Sequence, residues 1–449
     1  MNKSSYPLKF EPAVIAFQAQ DAHKRTVALI DGLSDKQLKG PLLPIVNPLL
    51  WEIGHASYFY ELWVLRKHLK HPPLIANADS LYDSMTIAHD DRWDLPLPSL
   101  DDTLAYMQTV LDRILASMVK GEDNIRDYLV QYAVFHQDMH NEAYTYTRQT
   151  LNYPAPLIVS DIIKPDKGSA SDEGGLSGDV NIPSGTFMLG ATRQDGFVFD
   201  NEKWAHPVEV APFSIARAAV SNADYLLFVE AGGYEKPEYW DDEGWKWRLH
   251  SQLKHPVYWR SVADGWQIKQ FDCKIDMPMN AALIHVCWYE AQAYCRWAGR
   301  RLPTEAEWEA AAAAEPSDDG LSLSSVQRNY PWGDAAPRAE LANLDGFALG
   351  TEDVALYAAG DSAFGCRQML GNVWEWTQNT FEPYPGFEPD MYVDYSQPLF
   401  GNTKVLRGGS WATRARMIRN SWRTYYGPER NDVFAGFRTC ALNKKPVEQ

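Results

Sequence analysis

The chain has 449 residues, 45% of them hydrophobic and 13% aromatic, enough for more than one packed core, and a formal net charge of −17. That charge, with no basic run or stripe, excludes nucleic acid and anionic membrane as partners and leaves small ligands or protein. No stretch reaches the roughly 20 apolar residues of a membrane span, "MNKSSYPLKFEPAVIAFQAQ" lacks the pattern of a secretory signal, and Cys273, Cys287, Cys295, Cys366 and Cys440 form no CxxC pair, so a reduced cytoplasm is expected.

From about Leu8 to Leu151, apolar residues recur at three- and four-residue spacing in four segments, near 9–32, 47–70, 99–120 and 126–151. This predicts a four-helix bundle over residues 1–158. Between the second and third helices, "HPPLIANADSLYDSMTIAHDDRWDLPLPS" is too long for a plain bundle turn and reads as a site-forming loop. The polar, Gly/Ser-rich "SDIIKPDKGSASDEGGLSGD" reads as a linker, placed at 159–180. Over 181–449 the texture changes to short aromatic and β-branched runs punctuated by Gly, Pro, Asn and Asp. Two helical stretches interrupt it, "SNADYLLFVEAG" and "HVCWYEAQAYCRWAGRRLPTEAEWEAAAAA", and the prediction is an irregular α+β domain held together by aromatics. No internal repeat is found, which disfavours a solenoid or propeller.

Within the fourth helix, "FHQDMHNEAY" sets His136 and His140 four residues apart, about 40° of rotation, so both imidazoles leave one helix face. The spacing alone fits either a metal clasp or two imidazoles sharing a packing face. His55, in "NPLLWEIGHASYFYELWVL", lies among Trp51, Ile53, Tyr58 and Leu62, where an imidazole is costly to bury unless it hydrogen-bonds or binds a metal. Ligands in bundles often converge from facing helices. Three neutral imidazoles suit iron, zinc or copper and leave positions open for substrate or oxygen. A zinc hydrolase is disfavoured, since no HExxH glutamate is present and Asp138 is the sole candidate base. His23, His68, His71 and His89 lack comparable context.

The later domain carries "IPSGTFMLGA", "FDNEKWAHPV", "WAGRRLPTEAEWEAAA", "YPWGD", "GNVWEWT", "RGGSW" and "FAGFRTC", in that order between Asn181 and Leu442. It resembles the formylglycine-generating-enzyme (sulfatase-modifying factor) fold, an irregular C-type-lectin-like architecture. Formylglycine-generating enzymes place a copper-holding cysteine pair shortly after the RGGSW-type motif; "RGGSWATRARMIRNSWR" contains no cysteine, so copper-dependent oxidation of protein cysteine is disfavoured.

A DinB-like bundle bearing His55, His136 and His140, followed by this domain, resembles the ergothioneine-pathway sulfoxide synthases and the related selenoneine synthases over nearly the whole chain. The resemblance implies a mononuclear non-haem iron, Fe(2+), on those three histidines, with oxygen driving attachment of sulfur or selenium to the imidazole of hercynine. It also implies a site between bundle and lectin-like domain. Tyr384, in "EPYPGF", matches an active-site tyrosine that donates a proton in one branch, a role open to a phenol protonated at neutral pH. In "SWRTYYGPERNDVFAGFR", Trp422, Tyr425 and Tyr426 offer aromatic faces for a quaternary ammonium, and Arg430 a clamp for a polar donor. Each has a bland alternative as core aromatic or surface ion pair. Arg92, in the long loop, is a further candidate donor contact or else a structural salt bridge.

Two departures bear on the donor. The branch using γ-glutamylcysteine has an aspartate four residues before the arginine matching Arg430, where this chain has Tyr426, and a glutamine before the second histidine of the pair, where it has Met139. Loss of the acidic partner disfavours a donor with a free amine and leans towards a selenosugar or thiosugar, hence selenoneine synthase. A sulfoxide synthase using cysteine or γ-glutamylcysteine is the alternative. From another class, a non-catalytic lectin-like binding module remains.

Overall fold

The structure, a computed structural model, describes residues 10–119, 121–158, 174–193 and 196–442. The chain forms two compact units, one of Met1–Val159 with Arg193–Phe197 and one of Ser160–Thr192 with Val198–Gln449. Of the linker expected at 159–180, residues 159–173 lie outside the described ones, and its end is already structured: Asp179–Ile182 pairs antiparallel with Phe213–Ala216. The signal-peptide reading rests largely on residues 1–9, which also lie outside them.

The first unit is helical. α1 (Pro12–Ile30) has proline in its first turn, where the missing N–H costs no helical bond, and the short α2 (Asp35–Lys39) opens with a Ser34/Gln37 capping box. α3 (Leu49–Tyr60) continues into a π-helical stretch, Glu61–His68, which ends with Leu69 N–H bonded to the carbonyl of Val64. After it come α4 (Ala78–Tyr82), a 3₁₀ turn at Asp90–Trp93, α5 (Leu100–Met118), capped by Ser99, and α6 (Asn124–Thr150), capped by Asp123. Asp123 also takes His68 Nε2 at 2.7 Å, so the end of the π-helical stretch is tied to the start of α6.

α6 is the hub of this bundle, packed on α1 and α3, and is buried on most of its circumference. Its inward polar residues are therefore bonded in series: Tyr60 hydroxyl to Gln137 Oε1 at 3.0 Å, Gln137 Nε2 to Thr26 Oγ1 at 3.0 Å, and Thr26 Oγ1 to Asn141 Oδ1 at 2.7 Å. Apolar packing by Leu29, Ile30, Leu49, Ile53, Met107 and Tyr144 fills the rest.

The second unit is an irregular α+β body with short sheets. Its central sheet sets Arg423–Tyr426, Lys404–Arg407, Trp374–Thr380 and Ala435–Gly436 side by side. The motifs noted above are what knit it. Glu375 of "GNVWEWT" accepts from Trp308 Nε1 at 2.7 Å and from Arg438 Nε of "FAGFRTC" at 2.6 Å, with all three side chains buried. A side chain at Gly436 would come within 2.1 Å of the carbonyl of Leu283, so only glycine fits there.

The helices of this unit differ from expectation in two places. α7 (Asn222–Glu230) is where the sequence puts it, but α8 (Asp242–Ser251) was not foreseen: its aromatic composition resembles a strand, yet Asp241 caps it by accepting from Gly244 N at 2.7 Å. The long stretch from His285 is two helices, α9 (Trp288–Trp297) and α10 (Glu305–Ala313). Gly299, at φ +64°, ends the first, and Thr304 restarts the chain as the N-cap of the second.

Candidate metal centre

The three histidines converge. His55 leaves α3, His136 and His140 leave α6, and one potential ligand nitrogen from each lies within 4.8 Å of the other two. The ring centroids stand 5.1 Å apart for His55 and His136, 5.1 Å for His55 and His140, and 4.6 Å for His136 and His140.

The local sequence explains the placement. Trp51, His55 and Phe59 form one i, i+4, i+8 row along α3. Trp51 stacks on His55 at 4.7 Å and Phe59 stacks on His136 at 4.0 Å, so each of these imidazoles is held flat against an aromatic plane. Trp51 is fixed in turn by Nε1 donating to the Leu81 carbonyl at 2.7 Å. Next to it, Nδ1 of His55 lies 2.8 Å from the Tyr82 carbonyl. A carbonyl only accepts, so this nitrogen carries hydrogen and Nε2 is left with its lone pair. Nδ1 of His140 faces Glu52 Oε1 at 3.5 Å.

Burial keeps His55 and His136 neutral. It pushes His55 down to about 3, with the neighbouring His140 as the next cause, and it holds His136 well below the usual imidazole range. Neutral imidazoles are the form that binds a divalent transition ion, and three of them within 4.8 Å make a donor set that fits one. His140 keeps 17% side-chain exposure, so the site is not sealed. Two of the remaining first-unit histidines have other partners: His89 bonds Asp90 and the Val46 carbonyl, and His68 bonds Asp123.

Arg92 stands beside the cluster. Its guanidinium lies 4.1 Å from the centroid of Trp51, on which His55 stacks, and Nη1 donates to Asn47 Oδ1 at 2.7 Å. Met139 is partly buried on α6. Glu52, Asn47 and Tyr82 were missed by the sequence reading. Only Glu52 gave a signal: it is the one charged residue in the run from Pro48 to Tyr60, three positions before His55.

The other candidates belong to the second unit. Tyr384 is buried, its hydroxyl donates to Glu305 Oε1 at 3.1 Å, and the Arg423 guanidinium lies 4.0 Å over its ring. Burial, ahead of every charge effect, holds its phenol well above its ordinary pKa. Trp422 is interior, edge-on to Trp374 at 4.8 Å. Tyr425 packs on Phe381 at 4.2 Å and is partly buried, as is Tyr426. Arg430 forms a bidentate pair with Asp432, at 2.6 and 2.7 Å, and lies 5.3 Å over Tyr426. Among the described residues no helix is long and apolar enough to cross a membrane.

Residues 167–443 match the family described as sulfatase-modifying factor enzyme 1-like domain, and residues 18–142 match the DinB superfamily. The chain is 39% identical over 439 residues to the hercynine oxygenase of Mycolicibacterium thermoresistibile, covering 95% of this chain and 94% of that protein. It is 36% identical over 433 residues to the hercynine oxygenase of Mycobacterium tuberculosis, covering 95% and 98%. A formylglycine-generating enzyme of Thermomonospora curvata is 32% identical over 297 residues, 59% of this chain and 93% of that one.

Proposed function

This chain belongs to the hercynine oxygenase family, with a DinB-type bundle ahead of a sulfatase-modifying-factor domain, and from that premise we propose that it is an oxidoreductase forming a carbon–chalcogen bond on the imidazole of hercynine at the expense of dioxygen. The observation that carries the reading is the convergence of His55, His136 and His140 to within 4.8 Å, in a chain that matches hercynine oxygenases almost end to end. A ferrous ion held there would supply the redox chemistry, with the positions left open by three imidazoles available to hercynine, the chalcogen donor and dioxygen.

The chain's own residues have separable tasks in this proposal. The Trp51 and Phe59 rings and the Tyr82 carbonyl orient the ligands. Arg92, next to the cluster, is a contact for the donor. Tyr384 is the proton donor, and burial keeps its phenol protonated at neutral pH; releasing that proton requires exchange of its hydrogen bond to Glu305. Trp422, Tyr425 and Tyr426 supply aromatic surface for the trimethylammonium group, and Arg430 a guanidinium for the donor.

We favour a selenosugar donor, hence selenoneine synthesis. Support comes from position 426, where a tyrosine leaves no carboxylate to pair with a donor ammonium, and from Met139 beside the second ligand of the α6 pair. Formation of a sulfoxide from cysteine or γ-glutamylcysteine is the competing outcome. The test offers hercynine with cysteine, γ-glutamylcysteine and a seleno-glucose together to protein reconstituted with ferrous iron, and reads product masses. A selenium product is expected, with oxygen consumed only when hercynine and a donor are both present. Product from γ-glutamylcysteine alone would overturn the donor assignment, and equal oxygen consumption without hercynine would overturn the reaction. A non-catalytic module is disfavoured by the burial of two neutral histidines around a third, an arrangement that a mere docking scaffold does not require.

A further inference from the structure

Glu52 is 3% exposed within an otherwise uncharged helix, where a carboxylate is costly unless something offsets it. Its Oε1 accepts from Asn47 Nδ2 at 2.9 Å and faces Nδ1 of His140 at 3.5 Å, while its Oε2 is buried without a hydrogen-bond partner. Two ionisable groups of α6 face it: the Tyr144 phenol, whose pKa is raised by burial and then by this carboxylate, and His140, a metal-ligand candidate on a different helix from its own. Asn47 is held by Arg92, Arg92 lies on Trp51, and Trp51 stacks on His55. The chain of contacts that begins at one ligand candidate, His140, therefore ends at another, His55, and Glu52 is its only acidic member.

We propose that Glu52 is a positioning residue for the metal, an inference that rests on the metal reading above. It accepts the Nδ1 hydrogen of His140, after a small rotation from the present 3.5 Å, and so turns Nε2 of that ring towards the ion. It also supplies the negative charge that three neutral imidazoles lack. A divalent ion on neutral ligands carries its full charge into a poorly solvated site, and a carboxylate one bond-shell away offsets part of it. His55 needs no such partner because the Tyr82 carbonyl already orients it. Arg92, through Asn47, holds the carboxylate in place.

The test titrates full-length protein with Co(II), a probe of the same coordination preference that can be followed by its ligand-field absorption, and melts each protein without metal. Wild type, Glu52→Ala, Glu52→Gln and His55→Ala are compared. Glu52→Ala should weaken Co(II) binding about 10–100-fold. Glu52→Gln, isosteric and able to accept a hydrogen bond but uncharged, should fall between that variant and wild type. Glu52→Gln, which fills the same space and can still accept from Asn47, should melt without metal at or above the wild-type temperature, since a buried charge has been removed; a merely structural role would lower its melting temperature and leave affinity alone. Wild-type affinity in both Glu52 variants, with binding lost in His55→Ala, would overturn the role of Glu52 and leave the triad standing. Equal binding by wild type and His55→Ala would overturn the triad and this inference with it.

Discussion

Nδ1 of His55 lies 2.8 Å from the carbonyl oxygen of Tyr82, the last residue of α4. The orientation of this ligand candidate on α3 is therefore set by a five-residue helix in the long loop that follows it. Tyr82 is placed, in turn, by the absence of a side chain at Gly54, the residue before His55: a Cβ there would come within 2.1 Å of the Tyr82 ring.

Gly54→Ala should accordingly act on the metal centre at one remove. The added methyl cannot be accommodated without moving the Tyr82 ring, and overpacking of this kind costs about 1–3 kcal/mol. The expected result is a lower melting temperature and weaker metal binding together, although alanine is otherwise the better helix former. Thermal melts and a Co(II) titration check this; unchanged affinity would mean that the Tyr82 carbonyl is dispensable.

Metal binding should be lost in His55→Ala, His136→Ala and His140→Ala alike. In wild type, free metal at a hundred times its dissociation constant should stabilise the protein by about 2.7 kcal/mol, and a chelator should reverse the gain. Calorimetry with and without chelator measures it. A gain that survives in all three variants would place the ion elsewhere.

Much of this was legible in the sequence, and the exceptions have physical causes. The bundle helices announce themselves through apolar periodicity, and the order of short motifs identifies the second domain. His136 and His140 share a face by spacing alone, but whether His55 joins them depends on how α3 and α6 pack, which no local pattern encodes. Asn47 and Tyr82 left no trace because they act through a side-chain amide and a backbone carbonyl. The split between α9 and α10 was obscured because helical periodicity resumes on both sides of Gly299 and Pro303. α8 was missed because tertiary packing, and not strand propensity, decides the fate of its tryptophans.

Glu290 should make stability fall with rising pH. Its carboxyl is fully buried, and burial raises its pKa from 4.5 to about 7, opposed by hydrogen bonds from Tyr234 and the Cys287 backbone. The folded state thus holds this proton more tightly than the unfolded one. The resulting stabilisation is complete below about pH 4.5 and is lost as pH rises through 7, amounting to about 3 kcal/mol over that window. Glu290→Gln should remove that slope. Urea melts at pH 4.5 and 7.5 on both proteins give the difference; identical slopes would show that another group titrates.

Arg407 has no side-chain exposure and bonds Glu305 Oε1 at 2.9 Å, Glu309 and the Asn420 carbonyl. Arg407→Met keeps the volume but leaves two buried acids short of a partner. The cost should be about 3–5 kcal/mol. Arg407→Met combined with Glu309→Gln should recover part of it, because the unpaired charge is then gone. Denaturant midpoints across this double-mutant cycle test the coupling, and strictly additive losses would contradict it.

Tyr384 separates two roles that share one hydroxyl. As a structural group it donates to Glu305, which also accepts from Arg407 and Arg423, so Tyr384→Phe should cost about 1 kcal/mol and no more, with the ring still beneath Arg423. As a proton donor its removal should slow carbon–chalcogen bond formation by about 10²–10⁴-fold. The two consequences scale differently: stability can be restored by a compensating substitution elsewhere in the second unit, whereas a missing proton cannot. Tyr384→Phe should therefore remain slow even in a background stabilised by more than it loses, with metal affinity unchanged because the three histidines lie in the other unit. Recovery of the full rate in that background would assign Tyr384 to the fold alone.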